Sequence, residues 1–299
     1  MTPLGTMVIR GLDSVLRMTA GTVRIVTDSA CDLPDDLIDE YGIAVVPLSI
    51  RFGAEELIDR EQLSVGEFWQ RCAASEVLPE TAAPAPGQFE AAYRRLAGEG
   101  ASAIVVVSLS GALSATIQSA ELAARGVADE IDVRIVDSRS VTLGLGTMVL
   151  AAARAAAAGS SADEVVTLVE NMSRRTKVFG ALDTLENLKK GGRIGGAKAL
   201  LATALSIKPI IEVVDGVVEQ GGKQRTRSKA LAFLVDKVAS FSGQVENLAV
   251  LHADCDDVDA LVSRLREVHD GEIVVGRIGP VIGAHAGLGT IGVAFQTRD

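Results

Sequence analysis

The sequence predicts an α/β protein of two domains, with a parallel sheet in the first domain and a mixed sheet in the second. Hydrophobic residues make up 48% of the 299 residues but aromatic residues only 3%, which is typical of the aliphatic cores of parallel sheets. Short apolar runs alternate with helical segments in the first half, as in parallel βαβ units. In the second half Asp215-Gly216 separates two apolar runs and predicts a tight hairpin.

The first domain is predicted to span residues 22–159 and to carry helices on the faces of its sheet. Strands are predicted at 22–27, 43–50, 103–107 and 133–136, and helices at 35–41, 68–74, 88–97, 115–124 and about 148–158. The proline-rich segment 78–87 is predicted to be an extended loop. Because ligands of such sheets bind at the carboxyl ends of the strands, we expect the site beside the segments that follow them.

The second domain is predicted to span residues 160–299. It begins after the turn-forming Gly159, where Ser160 or Ser161 is expected to cap a helix that runs to about Arg174. Strands are predicted at 179–182, 207–214, 217–220, 248–252, 273–277 and 290–296. The sheet is at least partly antiparallel, since the hairpin joins two of its strands. Residues 1–21 contain no continuous apolar run, so we predict a loosely held extension and no signal peptide.

Charge and cysteine content narrow the function. The chain has 29 basic and 39 acidic residues and a net charge of −10, which argues against nucleic-acid binding. Its three cysteines form no C-x-x-C pair, so neither a disulfide framework nor a metal site is predicted, and the cytoplasm is the expected compartment. Gly287-Leu-Gly-Thr-Ile-Gly matches a dinucleotide-binding pattern but leaves no room for the helix that must follow. We predict a backbone turn there and no cofactor.

Polar residues in three predicted loops are candidates for a binding site. Ser110, Gly111 and Ser114 follow a buried strand and precede a helix, and hydroxyls with free amides at such a position can hold an anion. Thr81 lies on the proline-stiffened loop. His285 lies among Gly and Ala residues, so its imidazole can approach a ligand. The residues alone leave other roles open, namely a helix cap, a turn hydroxyl and a structural histidine.

Two basic clusters stand out in this acidic chain. One contains Lys189, Lys190 and Arg193, and the other contains Arg225 and Arg227. Such clusters are either solvated parts of the surface or binding surfaces for anionic lipid or for a partner protein that acts on phosphate groups.

Several motifs, taken in order, resemble those of the DegV family, the fatty-acid-binding subunits of bacterial fatty acid kinase. The resemblance runs from about Val23 to the C-terminus. The motifs are Thr27-Asp-Ser, Thr81-Ala-Ala-Pro-Ala-Pro-Gly-Gln-Phe, Ser110-Gly-Ala-Leu-Ser-Ala-Thr-Ile-Gln-Ser-Ala, Asp137-Ser, Leu188-Lys-Lys-Gly-Gly-Arg-Ile, Arg225-Thr-Arg and Gly279-Pro-Val-Ile-Gly-Ala-His. Two motifs depart from the family pattern: Thr-Ser-Gln-Pro is here Thr81-Ala-Ala-Pro, and Ser-Gly-Thr is here Ser114-Ala-Thr.

The resemblance implies a two-domain α/β fold with a long-chain fatty acid buried between the domains. The carboxylate would be held by Thr81 and by the loop from Ser110 through Gly111 to Ser114, with His285 close by. Arg193 would lie at the mouth, where the family meets the catalytic subunit of the kinase or the inner face of the membrane. Arg225 and Arg227 are further candidates for that contact. Catalysis would belong to the kinase subunit, and the fatty acid would be the ligand in place of a cofactor.

Two other functions are compatible with the residues. One is an enzyme that acts on an anionic or phosphorylated small metabolite, with His285 as acid or base and the Ser110 loop as phosphate cradle. The other is a lipid-surface binding module that uses only the basic clusters.

Overall fold

The computed structural model describes residues 22–75 and 77–298. The predicted extension at residues 1–21 lies outside these residues. The described part of the chain forms a four-stranded sheet, a six-stranded sheet and a three-stranded sheet. The fold is therefore α/β, as predicted, with one sheet more than the sequence indicated.

The four-stranded sheet is entirely parallel, with the strand order β2-β1-β6-β7. Its strands are β1 (Thr22–Asp28), β2 (Ala44–Val46), β6 (Ala101–Ser108) and β7 (Asp132–Asp137). Helices cover both faces, and Ile104 and Val106 pack on one face while Val105 and Val107 pack on the other. This two-sided burial explains the continuous apolar run of β6.

The six-stranded sheet is mixed, with the order β10-β9-β8-β13-β11-β12. Its strands are β8 (Thr176–Ala181), β9 (Lys208–Val214), β10 (Val217–Gln224), β11 (Val245–His252), β12 (Val274–Arg277) and β13 (Ile291–Thr297). Only the β11–β12 pair is parallel within the described sheet. The predicted hairpin at Asp215-Gly216 is confirmed, and both residues have positive φ, as a two-residue turn of type I′ requires.

The three-stranded sheet was not predicted. It has the antiparallel order β4-β3-β5, with β3 (Ser49–Phe52), β4 (Glu55–Ile58) and β5 (Glu80–Ala82). The prediction of one strand over 43–50 is wrong, because Pro47 has no N–H for a ladder and separates β2 from β3. The segment 78–87 is likewise not all loop, since it contains β5.

The helices are α1 (Asp35–Tyr41), α2 (Val65–Ala74), α3 (Pro86–Gly98), α4 (Thr116–Gly126), α5 (Thr142–Ala157), α6 (Ala162–Arg175), α7 (Glu186–Lys190), α8 (Arg227–Ala239), α9 (Val258–Leu265) and α10 (Pro280–Ala286), with 3-10 helices at Ser29–Cys31 and Gly195–Ser206. The six predicted helices are present, α1 with the predicted span and the others with shifted or longer spans, and four more helices, α7 to α10, were not predicted. Ser161 caps α6 and exchanges hydrogen bonds with Glu164, which confirms the predicted cap.

Helix α5 packs between the parallel and the mixed sheets. It contacts β1 and β6 on one side and β8, β11 and β13 on the other. The largest hydrophobic cluster accordingly joins Ile25 and Val105 of the parallel sheet to Ala249 and Ala294 of the mixed sheet. The two sheets thus share one core, and the boundary between residues 159 and 160 stays a prediction. No helix among the described residues is long and apolar enough to span a membrane.

Candidate functional site

A cavity of about 190 Å³ lies where the carboxyl end of the parallel sheet meets one face of the mixed sheet. Leu48, Leu109 and Val141, which follow β2, β6 and β7, contribute one wall. Val178 and Val213 of the mixed sheet contribute the floor. This edge of the parallel sheet is the one at which the sequence predicts a ligand.

The cavity is lined mainly by aliphatic side chains. Apolar residues that complete the lining are Ala83, Leu113, Ala115, Leu188, Ile211, Val218, Leu251, Ile278, Val281, Ile282 and Ala286. Six polar side chains also line it, namely Thr81, Ser114, Thr142, Arg193, His285 and Thr290. Four of them, Thr81, Ser114, Arg193 and His285, lie close together, since His285 contacts Thr81 and Arg193 donates to the carbonyl oxygen of Leu113, next to Ser114. A mainly apolar cavity with polar side chains gathered at one end fits a ligand that has a long apolar part and one polar end.

The side chains of Thr81 and His285 form the centre of the polar end. Thr81 Oγ1 and His285 Nε2 are 3.0 Å apart. Strand β5 brings in Thr81, which pairs with Ile50 of β3, and helix α10 brings in His285. Burial, together with the charge of Arg193, lowers the pKa of His285 to about 4. The imidazole is therefore neutral near pH 7 and carries a single N–H.

Gly191 fixes the other side of the imidazole. Nδ1 of His285 is buried and has no hydrogen-bond partner among the described residues. A Cβ atom at Gly191 would lie 2.3 Å from Nδ1. The ring therefore fits between Thr81 and the backbone at Gly191, and a side chain at this position would displace it.

Ser114 lies at the edge of the cavity, just before α4. Its Oγ accepts from the backbone N–H of Thr116 at 3.3 Å and is 2.9 Å from Thr116 Oγ1. The hydroxyl thus stabilises the first turn of α4 while its residue lines the cavity. The structure brings Ser114, Thr81 and His285 together at one site.

Ser110 and Gly111 do not line the cavity. Ser110 is fully buried, and its hydroxyl donates to the carbonyl oxygen of Gly216 at 2.6 Å, at the tip of the β9–β10 hairpin. The N–H of Gly111 donates to the carboxylate of Asp137 at 3.2 Å. These hydrogen bonds connect the loop after β6 to the β9–β10 hairpin and to Asp137. We therefore leave Ser110 and Gly111 out of the residues that we assign to ligand binding. A phosphate cradle at Ser110, which the enzyme hypothesis needs, is not part of the cavity wall.

Arg193 is at the mouth of the cavity. It is exposed and donates to the carbonyl oxygens of Leu113 at 3.1 Å and Gly191 at 2.7 Å. A second cleft of about 470 Å³ adjoins the cavity and shares Thr81, Arg193 and His285 with it, and Lys190 and Glu80 also line it. The polar end is therefore next to a cleft that carries two basic side chains and one acidic side chain.

The other two predicted contact residues differ from each other. Arg225 is exposed. Arg227 is half-buried, and its guanidinium makes two hydrogen bonds of 2.8 Å to the carboxylate of Asp257 and one to the carbonyl oxygen of Gly289. It connects α8 to the turn before β13, so its charge is engaged within the fold. The turn contains Gly287 and Gly289 at positive φ, in agreement with the predicted turn.

Two buried carboxylates that are not among the predicted site residues position the site. Asp28 accepts from the backbone N–H of Leu109, from Ser108 Oγ and from the N–H of Ala30, at 2.8, 3.0 and 3.1 Å. Burial raises its pKa to about 6. Asp28 thereby fixes the loop that leads to Ser114. Its place in the Thr27-Asp-Ser motif is a signal in the sequence that could have found it.

The second carboxylate belongs to Asp32, which has positive φ after the first 3-10 helix. Its Oδ1 accepts from the N–H of Gly279 at 3.0 Å, immediately before α10. Burial raises the pKa of Asp32 to about 7. This bond ties the helix that carries His285 to the parallel sheet. Among the described residues, no group of three or more His, Cys, Asp and Glu side chains is arranged to hold a metal ion.

Comparison with known proteins places these features in a family. A model of the family described as "Uncharacterised protein, DegV family" matches residues 22–298. A DegV domain-containing protein of Streptomyces coelicolor is 39% identical over 280 residues, which cover 92% of this chain and 99% of the relative.

Solved structures show the same fold. A fatty-acid-binding DegV family protein from Thermus thermophilus is 34% identical, with a TM-score of 0.86 over 92% of this chain and 99% of the other. DegV from Bacillus subtilis, also a fatty-acid-binding protein, is 29% identical, with a TM-score of 0.83 over 93% and 100% of the two chains.

Proposed function

The chain belongs to the DegV family, and we propose that it is a carrier that buries a long-chain fatty acid and presents its carboxylate to a partner kinase. One observation supports this proposal above all: the aliphatic cavity ends at the paired side chains of Thr81 and His285. Fatty acid binding by the relatives from Thermus thermophilus and Bacillus subtilis agrees with it. In this proposal the chain has no catalysis of its own and no cofactor.

Hydrocarbon burial supplies the affinity. A chain of about sixteen carbons gains roughly 0.8 kcal/mol per buried methylene, on the order of 12 kcal/mol before the cost of ordering protein and ligand. A charged carboxylate gains nothing from an apolar wall and needs hydrogen-bond donors. The hydroxyls of Thr81 and Ser114 are the donors that we assign to it.

The neutral state of His285 determines how these donors act. With its proton on Nε2, the imidazole donates to Thr81 Oγ1, and the Thr81 hydroxyl then has its own proton available for the carboxylate. Arg193 adds positive potential at the opening. Because hydroxyl groups bind the fatty acid carboxylate and no cation forms a direct ion pair with it, a carboxylate oxygen stays nucleophilic. That oxygen attacks the terminal phosphoryl group of the nucleotide, which the kinase supplies together with its metal, and an acyl phosphate forms as the nucleoside diphosphate leaves.

The fatty acid is expected to remain bound through purification. Native mass spectrometry of protein purified without added lipid should show an adduct of the mass of a long-chain fatty acid. After lipid removal, incubation with palmitate or oleate should restore such an adduct in a one-to-one ratio. Bare protein in both experiments would contradict the proposal.

Arg193 is expected to matter more for the partner than for the ligand. Arg193→Ala should lower the rate of acyl phosphate formation with a fatty acid kinase catalytic subunit and ATP by about tenfold, because charges at the rim of an interface mainly affect association. Binding to anionic vesicles should fall in parallel if this surface also meets the inner face of the membrane. The dissociation constant for palmitate should change by about threefold or less, because the aliphatic wall stays intact.

The matched control is Arg125→Ala, which removes an exposed arginine from the last turn of α4. This variant should leave acyl phosphate formation and vesicle binding unchanged. If Arg193→Ala weakens palmitate binding as much as acyl phosphate formation, then Arg193 belongs to the ligand site instead of the partner surface.

A further inference from the structure

Gly180 lies on the floor of the cavity, near the end of β8. Along this strand Val178 and Gly180 face the cavity, whereas Phe179 and Ala181 pack into the core on the opposite face of the sheet. In the neighbouring strands Gly180 is paired with Ile211 of β9 and with Gly292 of β13. The floor is therefore lowest where two adjacent strands carry no side chain.

The backbone does not require glycine at position 180. Its φ does not lie in the left-handed region, and a Cβ atom would make only ordinary contacts, at 3.4 Å from side-chain atoms of Ile211 and Leu182. Gly292 differs, because its Cβ atom would lie 2.3 Å from the carbonyl oxygen of Phe179. Close packing of the strands thus requires glycine at position 292, whereas packing does not require glycine at position 180.

A glycine inside a strand weakens the strand, because it adds conformational freedom to the unfolded chain and no packing to the folded one. Such a glycine often marks a place where a ligand approaches the backbone closely. Gly180 meets this description, since it lines the cavity and an alanine would fit without strain.

We propose that Gly180 is a ligand-binding residue, whose missing side chain gives an acyl chain the room to cross the floor of the cavity. This inference rests on the fatty acid binding proposed above. A methyl group at this position would project into the path of the hydrocarbon, and a valine side chain would fill it. Each methylene that can no longer be buried should weaken binding about fourfold.

The test compares ligand-free wild type, Gly180→Ala and Gly180→Val in their affinity for palmitate and their Tm. We expect Gly180→Ala to bind palmitate about fourfold more weakly and Gly180→Val more than about tenfold more weakly. The Tm of Gly180→Ala should equal or exceed that of wild type, since alanine restricts the unfolded chain. A residue with a purely structural role would lose affinity and Tm together.

Gly98→Ala is the matched control. Gly98 ends α3, its φ is not left-handed, and nothing lies within 4 Å of the added Cβ atom. This variant should keep the palmitate affinity of wild type at an equal or higher Tm. The inference is overturned if wild type binds palmitate and Gly180→Ala and Gly180→Val bind it within about twofold of wild type. Should the valine variant not fold, Gly180→Ala decides alone. A wild type that takes up no palmitate refutes the proposed function itself.

Discussion

Replacing Thr81 with valine is expected to weaken palmitate binding about tenfold to a hundredfold. Valine keeps the shape of threonine but removes the hydroxyl that lies 3.0 Å from His285 Nε2. Hydrogen bonds to charged groups contribute about 1.5–3 kcal/mol, which corresponds to that range of affinity. The measurement is the dissociation constant for palmitate on protein freed of lipid, with Tm as the check on folding.

Two further variants sharpen this test. Gly191→Ala leaves Thr81 and His285 in the sequence, but its Cβ atom would meet Nδ1 of the imidazole at 2.3 Å and push the ring from Thr81. It should therefore weaken binding in the same direction as Thr81→Val. Thr167→Val, at an exposed position of α6, is the control and should bind like wild type. Wild-type affinity in Thr81→Val would show that the carboxylate lies elsewhere.

The parts of the fold that sequence predicted well are those with strong local signals. The apolar run of β6 and the positive-φ pair Asp215-Gly216 depend on burial and turn chemistry that a few residues determine. The start of helix α5 was predicted near residue 148, six residues after its observed start at Thr142, because Gly144 and Gly146 lower helix propensity. The structure explains both glycines by close packing: Cβ atoms there would lie 2.4 Å from a side-chain atom of Val178 and 2.5 Å from the carbonyl oxygen of Cys31.

The candidate site was predictable as a set of residues but not as a geometry. Thr81 and His285 stood out by their surroundings in the sequence, yet their contact joins residues 204 positions apart. Ser110 looked equivalent to Ser114, because both are hydroxyls in one loop. Their difference depends on Gly216, which is 106 positions away and whose carbonyl oxygen accepts the hydrogen bond of the Ser110 hydroxyl. Pattern alone does not give the direction of a hydroxyl, since tertiary partners determine it.

Asp32 has the least favourable electrostatic surroundings among the residues that position the site. Its Oδ1 accepts from Gly279, but its Oδ2 is buried without a partner among the described residues. The hydroxyl of Thr142, which also has no hydrogen-bond partner among the described residues, lies beside this carboxylate. Burial dominates the rise of the Asp32 pKa to about 7; the hydroxyl of Thr142, the N–H of Gly279 and the charge of Arg60 oppose the rise, and the charge of Asp59 adds to it. The charged form is therefore costly in the folded state.

Asparagine at position 32 is accordingly expected to stabilise the ligand-free protein at high pH. An amide oxygen can still accept from Gly279, the amide N–H₂ can donate to Thr142, and asparagine tolerates the positive φ. Below about pH 4 the carboxyl is protonated in both the folded and the unfolded state, so wild type carries no charge penalty there. Between about pH 4 and pH 7 the folded state binds more protons than the unfolded one, so the stability that this group contributes falls as the pH rises.

Urea unfolding of wild type and Asp32→Asn at several pH values measures this difference. The advantage of the asparagine variant should grow from its value near pH 4 through pH 7 and then level off, with a total increase of about 4 kcal/mol. Comparing the two proteins at each pH removes the contribution of His285, whose lowered pKa acts in the opposite direction in both. Lipid must be absent, because a ligand that binds the folded state adds its own stabilisation. A difference that stays constant across this range would mean that Asp32 keeps an ordinary pKa, and its tie to α10 would then be an unstrained ionic hydrogen bond.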